Sequence, residues 1–366
     1  MKLTRLSGVA ALGAVAALTL AGCAANEGTS SDTSSGETAS SLSGTIGATG
    51  ASSQTAAQEA WVAAFQTANP DATVNYEPTG SGTGRENFIS GASNFIGSDR
   101  AFEMEELGEF GSCTSESIVE VPAYISPVAL AFNLPGIDTL NLDADTIAKI
   151  FAGEITSWDD AAIADQNPDA DLPSTAITPV NRSDDSGTTE TFVTYLAATA
   201  PDVWTYEVSG EWPIDGTERG QGTQGVRQII ADGEGTIGYL DASQAPEDAG
   251  QVAVGVDGEY VSYSAEAASA LIENSPLEEG REAQDLVFSV DPASATGGAY
   301  PIALVSYLIG CVDYEDPEVA TLVKEYFSYV ISAEGQDTAA EAAGSAPISD
   351  SLREQAQTAI DAIVTE

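Results

Sequence analysis

The sequence contains no histidine among its 366 residues. A Ser-His-Asp triad, a histidine metal site and an imidazole base therefore cannot be built from this chain. The sequence also lacks a G-x-S-x-G nucleophile motif, a P-loop and a C-x-x-C pair. These absences remove the machinery that most hydrolases need, and no metal or other cofactor is expected.

Basic residues are scarce as well. The chain has 11 lysines and arginines against 57 aspartates and glutamates, which gives a net charge of −46. No basic run exists that could follow a phosphate backbone, so nucleic-acid binding is not expected. The large negative charge also repels anions at long range. A site for an anion would therefore have to bind it through short, well-oriented hydrogen bonds.

Cysteine is the third scarce residue type, with three in the chain. The first, Cys23, follows a short basic segment with Lys2 and Arg5 and an apolar run at 9–21. That run is too short for a permanent membrane span, so residues 1–22 are predicted to be a signal peptide. Leu-Ala-Gly-Cys at 20–23 resembles the bacterial lipobox, in which the cysteine is lipidated; the alternative is an ordinary cleavage site beside an unrelated cysteine. Residues 23–43 are predicted to be a flexible linker that holds the exported protein at the outer face of the membrane. Without Lys2 and Arg5 the net charge is 9 − 57 = −48.

The other two cysteines, Cys113 and Cys311, form an even pair in an oxidising compartment. We therefore predict a disulfide between them, the alternative being two buried free thiols. The loop it would close spans 311 − 113 = 198 positions, and its closure entropy sets an upper contribution to stability of about 5 kcal/mol.

Short β-like runs alternate with helix-like runs from residue 44 onward. This pattern predicts an α/β fold of mostly parallel sheets flanked by helices. The mature length fits two domains, and stretches containing Pro122 and Pro301 are predicted to cross between them through a two-segment hinge. Lobe 1 would comprise 44–121 with 302–366, and lobe 2 would comprise 122–301. Predicted strands are 43–48, 72–76, 94–98, 118–121, 124–132, 176–181, 236–240 and 302–307; predicted helices are 54–68, 85–90, 144–152, 190–200, 317–331 and 351–364.

Three segments share a strand, then a Gly/Ser/Thr turn, then a helix. They are the turns at 47–53, 80–84 and 186–188. Helix N-termini present free N–H groups and a partial positive charge, and such turns gather at the carboxyl ends of parallel strands. Together they predict a binding site for a small oxyanion, although each turn alone is more often an ordinary N-cap.

Two charged residues refine this prediction. Arg182 supplies a planar fork for two oxygens of a tetrahedral oxyanion, and Asp184 can pair with it. Asp99 follows a predicted strand and would repel an anion unless the anion carries a proton that Asp99 can accept. Hydrogen phosphate meets that condition, whereas sulfate at neutral pH does not. The alternatives are that Asp99 caps the segment 100–102 and that Asp184 is a solvated turn residue.

Several motifs extend the interpretation to nearly all of residues 44–366. They are Gly-Ser-Gly at 80–82, Ile-Gly-Ser-Asp at 96–99, the residues 150–158 and 182–189, and Gly-Thr-Ile-Gly-Tyr at 235–239. With these motifs the chain resembles the phosphate-binding lipoproteins of high-affinity phosphate ABC importers, in the form found in high-GC Gram-positive bacteria. Phe-Ala-Gly-Glu-Ile-x-x-Trp at 151–158 and Arg-x-Asp-x-Ser-Gly-Thr-Thr at 182–189 are the most specific.

This resemblance implies a two-lobed periplasmic-binding-protein fold that closes on one dehydrated phosphate. It implies Asp99 as the proton acceptor, Arg182 as the sole cation and Asp184 as its partner. The implied hydroxyl and backbone donors are Ser52, Ser53, Ser81, Ser186, Gly187 and Thr188. The first loop can also be aligned with a shift of one residue. Residues 151–158 are expected to serve packing, or else contact with the importer, and residues 220–225 to line the mouth of the cleft.

The sequence therefore predicts a monomeric binding protein that delivers phosphate to a membrane ABC permease and is not an enzyme. Rival hypotheses remain open. One is a receptor for arsenate, sulfate or molybdate, of which Asp99 disfavours the last two. Another is a secreted phosphatase, which the lack of histidine disfavours. The third is an adhesin or sensor that has kept the fold and lost the site.

Overall fold

A computed structural model describes residues 42–366, and the signal peptide, Cys23 and nearly all of the linker lie outside this range. The described part contains eleven strands and ten helices. The strands are β1 Ser43–Gly50, β2 Asp71–Glu77, β3 Phe95–Ser98, β4 Ile118–Phe132, β5 Thr139–Leu142, β6 Thr178–Arg182, β7 Glu218–Gly220, β8 Thr236–Asp241, β9 Gly250–Val256, β10 Glu259–Val261 and β11 Ala303–Cys311. The helices are α1 Thr55–Ala68, α2 Ser81–Ser90, α3 Ala144–Phe151, α4 Ala161–Ala164, α5 Gly187–Thr199, α6 Gly222–Asp232, α7 Ala265–Glu273, α8 Pro317–Ile331, α9 Ala333–Ala343 and α10 Asp350–Asp361.

The predicted α/β architecture is confirmed, but the sheet is mixed rather than mostly parallel. Its strand order is β2-β1-β3-β11-β4-β8-β6-β7; β9 also pairs with β4, and β5 and β10 pair with β9. Strand β1 runs parallel to β2 and β3, and β6 runs parallel to β7 and β8. The long strands β4 and β11 are antiparallel to each other and to their neighbours. The prediction missed this because strand direction depends on where the chain returns, and local hydrophobic patterns do not record that.

Strand β4 joins the two parts of the sheet. Its first part, through Pro127, pairs with β11, and its second part, from Val128, pairs with β8. All fifteen of its residues are buried, which explains why the pattern reads as continuous apolar runs. The lobe boundaries of 121/122 and 301/302 stay a prediction; the change of pairing partner falls between Pro127 and Val128.

The sequence predicted two strands separated at Pro122, whereas the structure forms a single one. Opposite this proline the register of β11 shifts between Ser306 and Tyr307, so that Ala123 is skipped in the pairing. Proline lacks an N–H for the ladder and is tolerated at such a bulge. The bulge therefore lets one strand run on where the sequence pattern indicated a break.

Helix α1 shows how the core holds the elements that carry the site. Its residues Trp61 and Phe65 are buried, and the Trp61 Nε1 donates to the Gly335 carbonyl of α9 at 2.7 Å. Truncating a buried tryptophan typically costs about 3–5 kcal/mol, so this anchor fixes α1 firmly. The loop before α1 is thereby held at the end of β1.

The predicted disulfide is confirmed: Cys113 and Cys311 are joined, with their Cα atoms 5.3 Å apart. The bond ties the loop after β3 to the end of β11. Within residues 42–366, the helices are all too short or too polar to cross a bilayer.

Candidate oxyanion site

The predicted site residues lie where strands end and helices begin. Ser52 and Ser53 connect β1 to α1, Asp99 directly follows β3, and the segment from Arg182 to Ser186 connects β6 to α5. Ser52, Ser53, Asp99, Arg182 and Ser186 are buried, as is the Asp184 carboxylate, whereas Asp185 is half-buried and Ser183 is exposed. The loops thus converge at one edge of the sheet, as the strand–turn–helix pattern predicted.

Asp99 is surrounded by hydroxyl groups. Its Oδ1 accepts from Ser53 Oγ at 2.6 Å and from Ser306 Oγ at 2.6 Å, and its Oδ2 accepts from Thr188 Oγ1 at 2.8 Å. Its backbone N–H donates to Ser81 Oγ at 3.1 Å. Hydrogen bonds to a carboxylate are stronger than those between neutral groups, so the three hydroxyl donors hold Asp99 firmly in place. A carboxylate held in this way accepts a proton-bearing group and repels a bare oxyanion.

Arg182 and Asp184 form a buried bidentate pair. Arg182 Nε donates to Asp184 Oδ1 at 2.9 Å, and Nη2 donates to Oδ2 at 2.5 Å. The backbone N–H of Gly222 also donates to Asp184 Oδ1 at 3.1 Å. The pair leaves three of the five guanidinium N–H groups for another acceptor. Asp184 therefore orients the fork of Arg182 and offsets part of its charge, as the resemblance implied.

Loop 80–82 connects Arg182 with Asp99. A Cβ atom added to Gly80 would lie 2.5 Å from Asp184 Oδ2 and 3.6 Å from Arg182 Nη2, while the next residue, Ser81, contacts Asp99. Gly80 has φ +99°, a conformation that favours glycine, and it caps α2. Helix α2 consequently begins at Ser81, four residues before the predicted start, and its first turn lies against the cluster.

The N-terminus of α5 supplies the third loop. Ser186 Oγ accepts from the Thr189 N–H and caps the helix. A Cβ atom on Gly187 would lie 2.5 Å from the Cβ of Asp99, so glycine permits this close approach. Ser186, Gly187 and Thr188 are thus next to Asp99, at a helix end that favours negative charge.

Ser52 makes a different contact from the other predicted residues. Its Oγ lies 2.9 Å from Thr223 Oγ1 and accepts from the Thr223 N–H at 3.0 Å. Gln244 Nε2 donates to the carbonyls of Ser52 and Ser53 at 2.8 and 3.2 Å. Thr223 lies in the predicted cleft-mouth segment 220–225, and Gln244 follows β8. Thr223 and Gln244 thus bind the first loop from the opposite part of the sheet.

A second buried arginine, Arg85, lies close to the cluster. Its Nη2 donates to Asp185 Oδ2 at 3.1 Å, and the Gly82 N–H donates to the Asp185 carbonyl at 3.2 Å. Burial lowers the pKa of Arg85, and nearby Arg100 acts in the same direction. Because Asp185 is 41% exposed, this ion pair adds little stability. Arg182 as the sole cation at the ligand stays a prediction, and the charge of Arg85 is directed at Asp185.

Sequence reasoning missed Ser306, Gln244 and Arg85 as members of this cluster, and it covered Thr223 only as part of the cleft-mouth segment 220–225. Ser306 had one usable signal, since it is a polar residue inside the apolar run of β11, and buried polar groups generally have partners. The residues around Gln244 give no sign that it is buried, because a glutamine in such a segment is usually exposed to solvent. The phosphate-binding role of the predicted residues stays a prediction.

The motif at 151–158 packs in the core away from this cluster. Phe151 and Trp158 are buried, with Phe151 against Phe192 and Trp158 against Phe132. Trp158 Nε1 donates to the Gly235 carbonyl at 3.1 Å. The expected packing role accounts for these aromatic positions.

The fold and the loop cluster define a solute-binding protein of the periplasmic type. A family model described as the PBP superfamily domain matches residues 34–334. Members of this superfamily are extracytoplasmic binding proteins with mixed α/β structure.

Curated relatives narrow the class. Phosphate-binding protein PstS 3 of Mycobacterium leprae is 31% identical over 373 residues, covering 99% of this chain and 100% of that protein. Phosphate-binding protein PstS of Methanocaldococcus jannaschii is 31% identical over 343 residues, covering 88% and 86% of the two chains. The chain therefore belongs to the PstS family of the PBP superfamily.

Solved structures share the fold. The high-affinity periplasmic phosphate-binding protein PfluDING, bound with phosphate, has a TM-score of 0.69 at 24% identity, with 86% of this chain and 93% of that chain covered. The phosphate-binding protein of Stenotrophomonas maltophilia has a TM-score of 0.65 at 19% identity, with coverages of 86% and 94%. At these identities the likeness supports the fold.

Proposed function

We propose that this protein captures inorganic phosphate outside the cytoplasm and delivers it to a membrane ABC permease. The observation that carries the proposal is the Asp99 carboxylate, held by three hydroxyl donors beside the N-terminus of α5. A site with hydroxyl donors, a helix N-terminus and the Arg182 fork suits a tetrahedral oxyanion. Asp99 adds the requirement that this oxyanion carries a proton.

The proton requirement separates phosphate from sulfate. Hydrogen phosphate donates its O–H to Asp99, whereas sulfate would set a bare oxygen against the carboxylate. Leaving two like charges unpaired in a buried site costs several kcal/mol, equivalent to a selectivity of roughly a hundredfold or more. Molybdate meets the same obstacle, while arsenate carries a proton like phosphate and remains an alternative ligand.

Delivery to a permease requires that the bound form differ from the free form. We infer that the two lobes close around phosphate, with Ser52–Thr223, Gln244 and Arg85–Asp185 contacts formed between the sheet regions on closure. The protein acts as a monomer and forms no covalent intermediate. A secreted phosphatase remains the alternative from another class, and hydrolysis of a chromogenic phosphate ester above background would favour it.

The decisive measurement is calorimetric titration of the protein, stripped of phosphate, first with phosphate and then with sulfate. Tight one-to-one phosphate binding with no sulfate heat supports the proposal. Sulfate binding of comparable strength would contradict the role of Asp99. Absence of binding to either anion would favour an adhesin or sensor that has lost the site.

We further propose that the protein is exported by the signal peptide 1–22, lipidated at Cys23 and tethered through 23–43. Replacement Cys23→Ala removes the acceptor thiol and should release the protein from the membrane fraction, since one anchor accounts for its retention. Matched fractionation of a Cys113→Ala/Cys311→Ala variant, which keeps Cys23, serves as the control. Membrane retention of Cys23→Ala would contradict lipid anchoring.

A further inference from the structure

A chain of buried hydrogen bonds runs from helix α8 to Asp99. Tyr326 OH lies 2.7 Å from Gln58 Oε1, and Gln58 Nε2 lies 2.7 Å from Gln54 Oε1. Gln54 Nε2 lies 2.6 Å from Ser306 Oγ, and Ser306 Oγ lies 2.6 Å from Asp99 Oδ1. All four side chains that lead to Asp99 are at most 1% exposed. Gln54, Gln58 and Tyr326 lie outside the three loops of the oxyanion site.

The direction of this chain follows from one backbone carbonyl. Gln54 Nε2 also lies 3.2 Å from the carbonyl oxygen of Tyr307, which can only accept. The NH₂ end of Gln54 must therefore face β11, and its oxygen must face Gln58. The NH₂ end of Gln58 then faces Gln54, so its oxygen faces Tyr326, whose hydroxyl donates.

This direction determines what Ser306 can do. Its oxygen accepts from the Gln54 amide, and the single hydroxyl proton is then directed to the acceptor at Asp99 Oδ1. Ser53 donates to the same oxygen. Two donors occupy Oδ1, whereas Oδ2 accepts from Thr188 alone and keeps capacity for one more donor.

A β-bulge of the neighbouring strand lies opposite Ser306. The register between β11 and β4 shifts between Ser306 and Tyr307, and the extra residue, Ala123, belongs to β4. Gln54 contacts both residues of β11 at this shift, through the hydroxyl of Ser306 and the carbonyl of Tyr307.

We propose that Ser306, held as a one-way donor by the chain Tyr326–Gln58–Gln54, is a specificity-determining positioning residue. It keeps Asp99 an acceptor-only group, so that the ligand must supply the proton at Oδ2. Ser306 acts through Asp99 and needs no contact with the ligand. The inference rests on the proposed function, because it concerns selection between phosphate and sulfate.

Removing Ser306 tests this role. In Ser306→Ala, Oδ1 of Asp99 loses one of its two hydroxyl donors, so the carboxylate is held less firmly against the ligand position and rejects sulfate less strongly. The ratio of sulfate to phosphate dissociation constants, measured by calorimetry, should fall about tenfold or more. Ser306→Thr retains the hydroxyl and should restore the ratio. Ser93→Ala, which removes a buried serine from the opposite end of β3, is the matched control.

A second variant, two hydrogen bonds away from Ser306 in the chain, keeps the test informative if Ser306→Ala does not fold. Gln58→Met removes the donor to the Gln54 oxygen, leaves the Tyr307 carbonyl as the remaining constraint on that amide, and touches neither Asp99 nor the ligand. It should therefore also lower the ratio, by less than Ser306→Ala does. Thermal unfolding without ligand checks that each variant is folded.

The possible outcomes separate the claims. If both anions weaken equally in Ser306→Ala and Gln58→Met, or if the ratio stays at the wild-type value, the positioning role is wrong while the proposed function stands. If the wild-type protein binds no phosphate, the proposed function fails and this inference fails with it.

Discussion

Asp99 is a negative charge inside a cluster that we propose to bind an anion. Its three hydroxyl partners and the nearby Arg182–Asp184 pair give the cluster both an acceptor and donors. A ligand must match this arrangement atom by atom, because the acidic chain around the site offers no general attraction. At the scale of the residue, selectivity between phosphate and sulfate therefore depends on whether the ligand carries a proton that it can donate to Asp99.

Replacement Asp99→Asn tests this point. The amide can donate to sulfate as well as accept, so sulfate affinity should rise by about tenfold or more while phosphate affinity falls less. Titration of both anions measures the two changes, and Asp232→Asn, an exposed carboxyl at the end of α6, is the control. Unchanged selectivity would refute the role of Asp99 as proton acceptor.

Replacement Arg182→Ala should lower phosphate affinity by at least a few kcal/mol, because a buried charged donor is lost. The variant also leaves the buried Asp184 carboxylate without its ion-pair partner. The double variant Arg182→Ala/Asp184→Asn, which removes that unpaired charge, is therefore measured as well. The affinity lost in this double variant reports the cation alone. A loss below about 1 kcal/mol would mean that another group carries the positive charge.

At the scale of the element, the turns between strands and helices bring backbone close to backbone. Gly80 allows α2 to start at Ser81, and Gly187 allows α5 to start against Asp99. Strand β4 runs through Pro122 because it bulges at Ala123, where its register against β11 shifts. In each case the local backbone conformation allows a contact with a residue that is distant in the sequence.

Replacement Gly187→Ala should weaken phosphate binding by about tenfold, since its Cβ would lie 2.5 Å from the Cβ of Asp99. Overpacking of this kind keeps α5 and Asp99 from approaching. Gly108→Ala is the matched control, because a Cβ there meets nothing within 4 Å. Equal affinities for the two variants would show that this close approach is unnecessary.

At the scale of the whole molecule, a strongly acidic chain is held together by a continuous core and one disulfide within residues 42–366. The disulfide closes a loop of 198 positions. Buried carboxyl groups at the junction of the sheet parts add pH dependence to the fold. Asp241, where β8 meets β4, accepts from Tyr124 OH at 3.0 Å and from the Ser243 N–H at 3.0 Å.

Removal of the disulfide in Cys113→Ala/Cys311→Ala should lower the free energy of unfolding by about 2–5 kcal/mol, because the unfolded chain regains loop freedom. Phosphate affinity should change little, since Cys311 is at the end of β11 distant from Ser306 along the strand. Denaturation with and without reductant measures the effect, and reductant should not affect the double variant. An unchanged stability would contradict the predicted contribution.

Asp241 predicts the sign of a pH effect. Burial raises the pKa of Asp241 from 3.8 to about 6. Its stabilising contribution is therefore complete below about pH 4 and is lost as the pH rises through 6, by roughly 3 kcal/mol in total. Unfolding measured at pH 4 and pH 7 should show a smaller difference in Asp241→Asn than in wild type. The exposed Asp202→Asn should behave as wild type, and an equal difference in all three proteins would exclude Asp241 as the source.

Local periodicity, turn chemistry and composition were enough to predict the α/β class, most strand and helix positions, the cysteine pair and the three loops. The mixed sheet, the single strand β4 and the partners that complete the cluster became visible only in the folded chain. Ser52–Thr223, Gln244–Ser52 and Ser306–Asp99 join positions 171, 192 and 207 residues apart. Such pairs leave no local pattern, since each hydroxyl or amide is compatible with solvent until the folded chain brings its partner within hydrogen-bond distance.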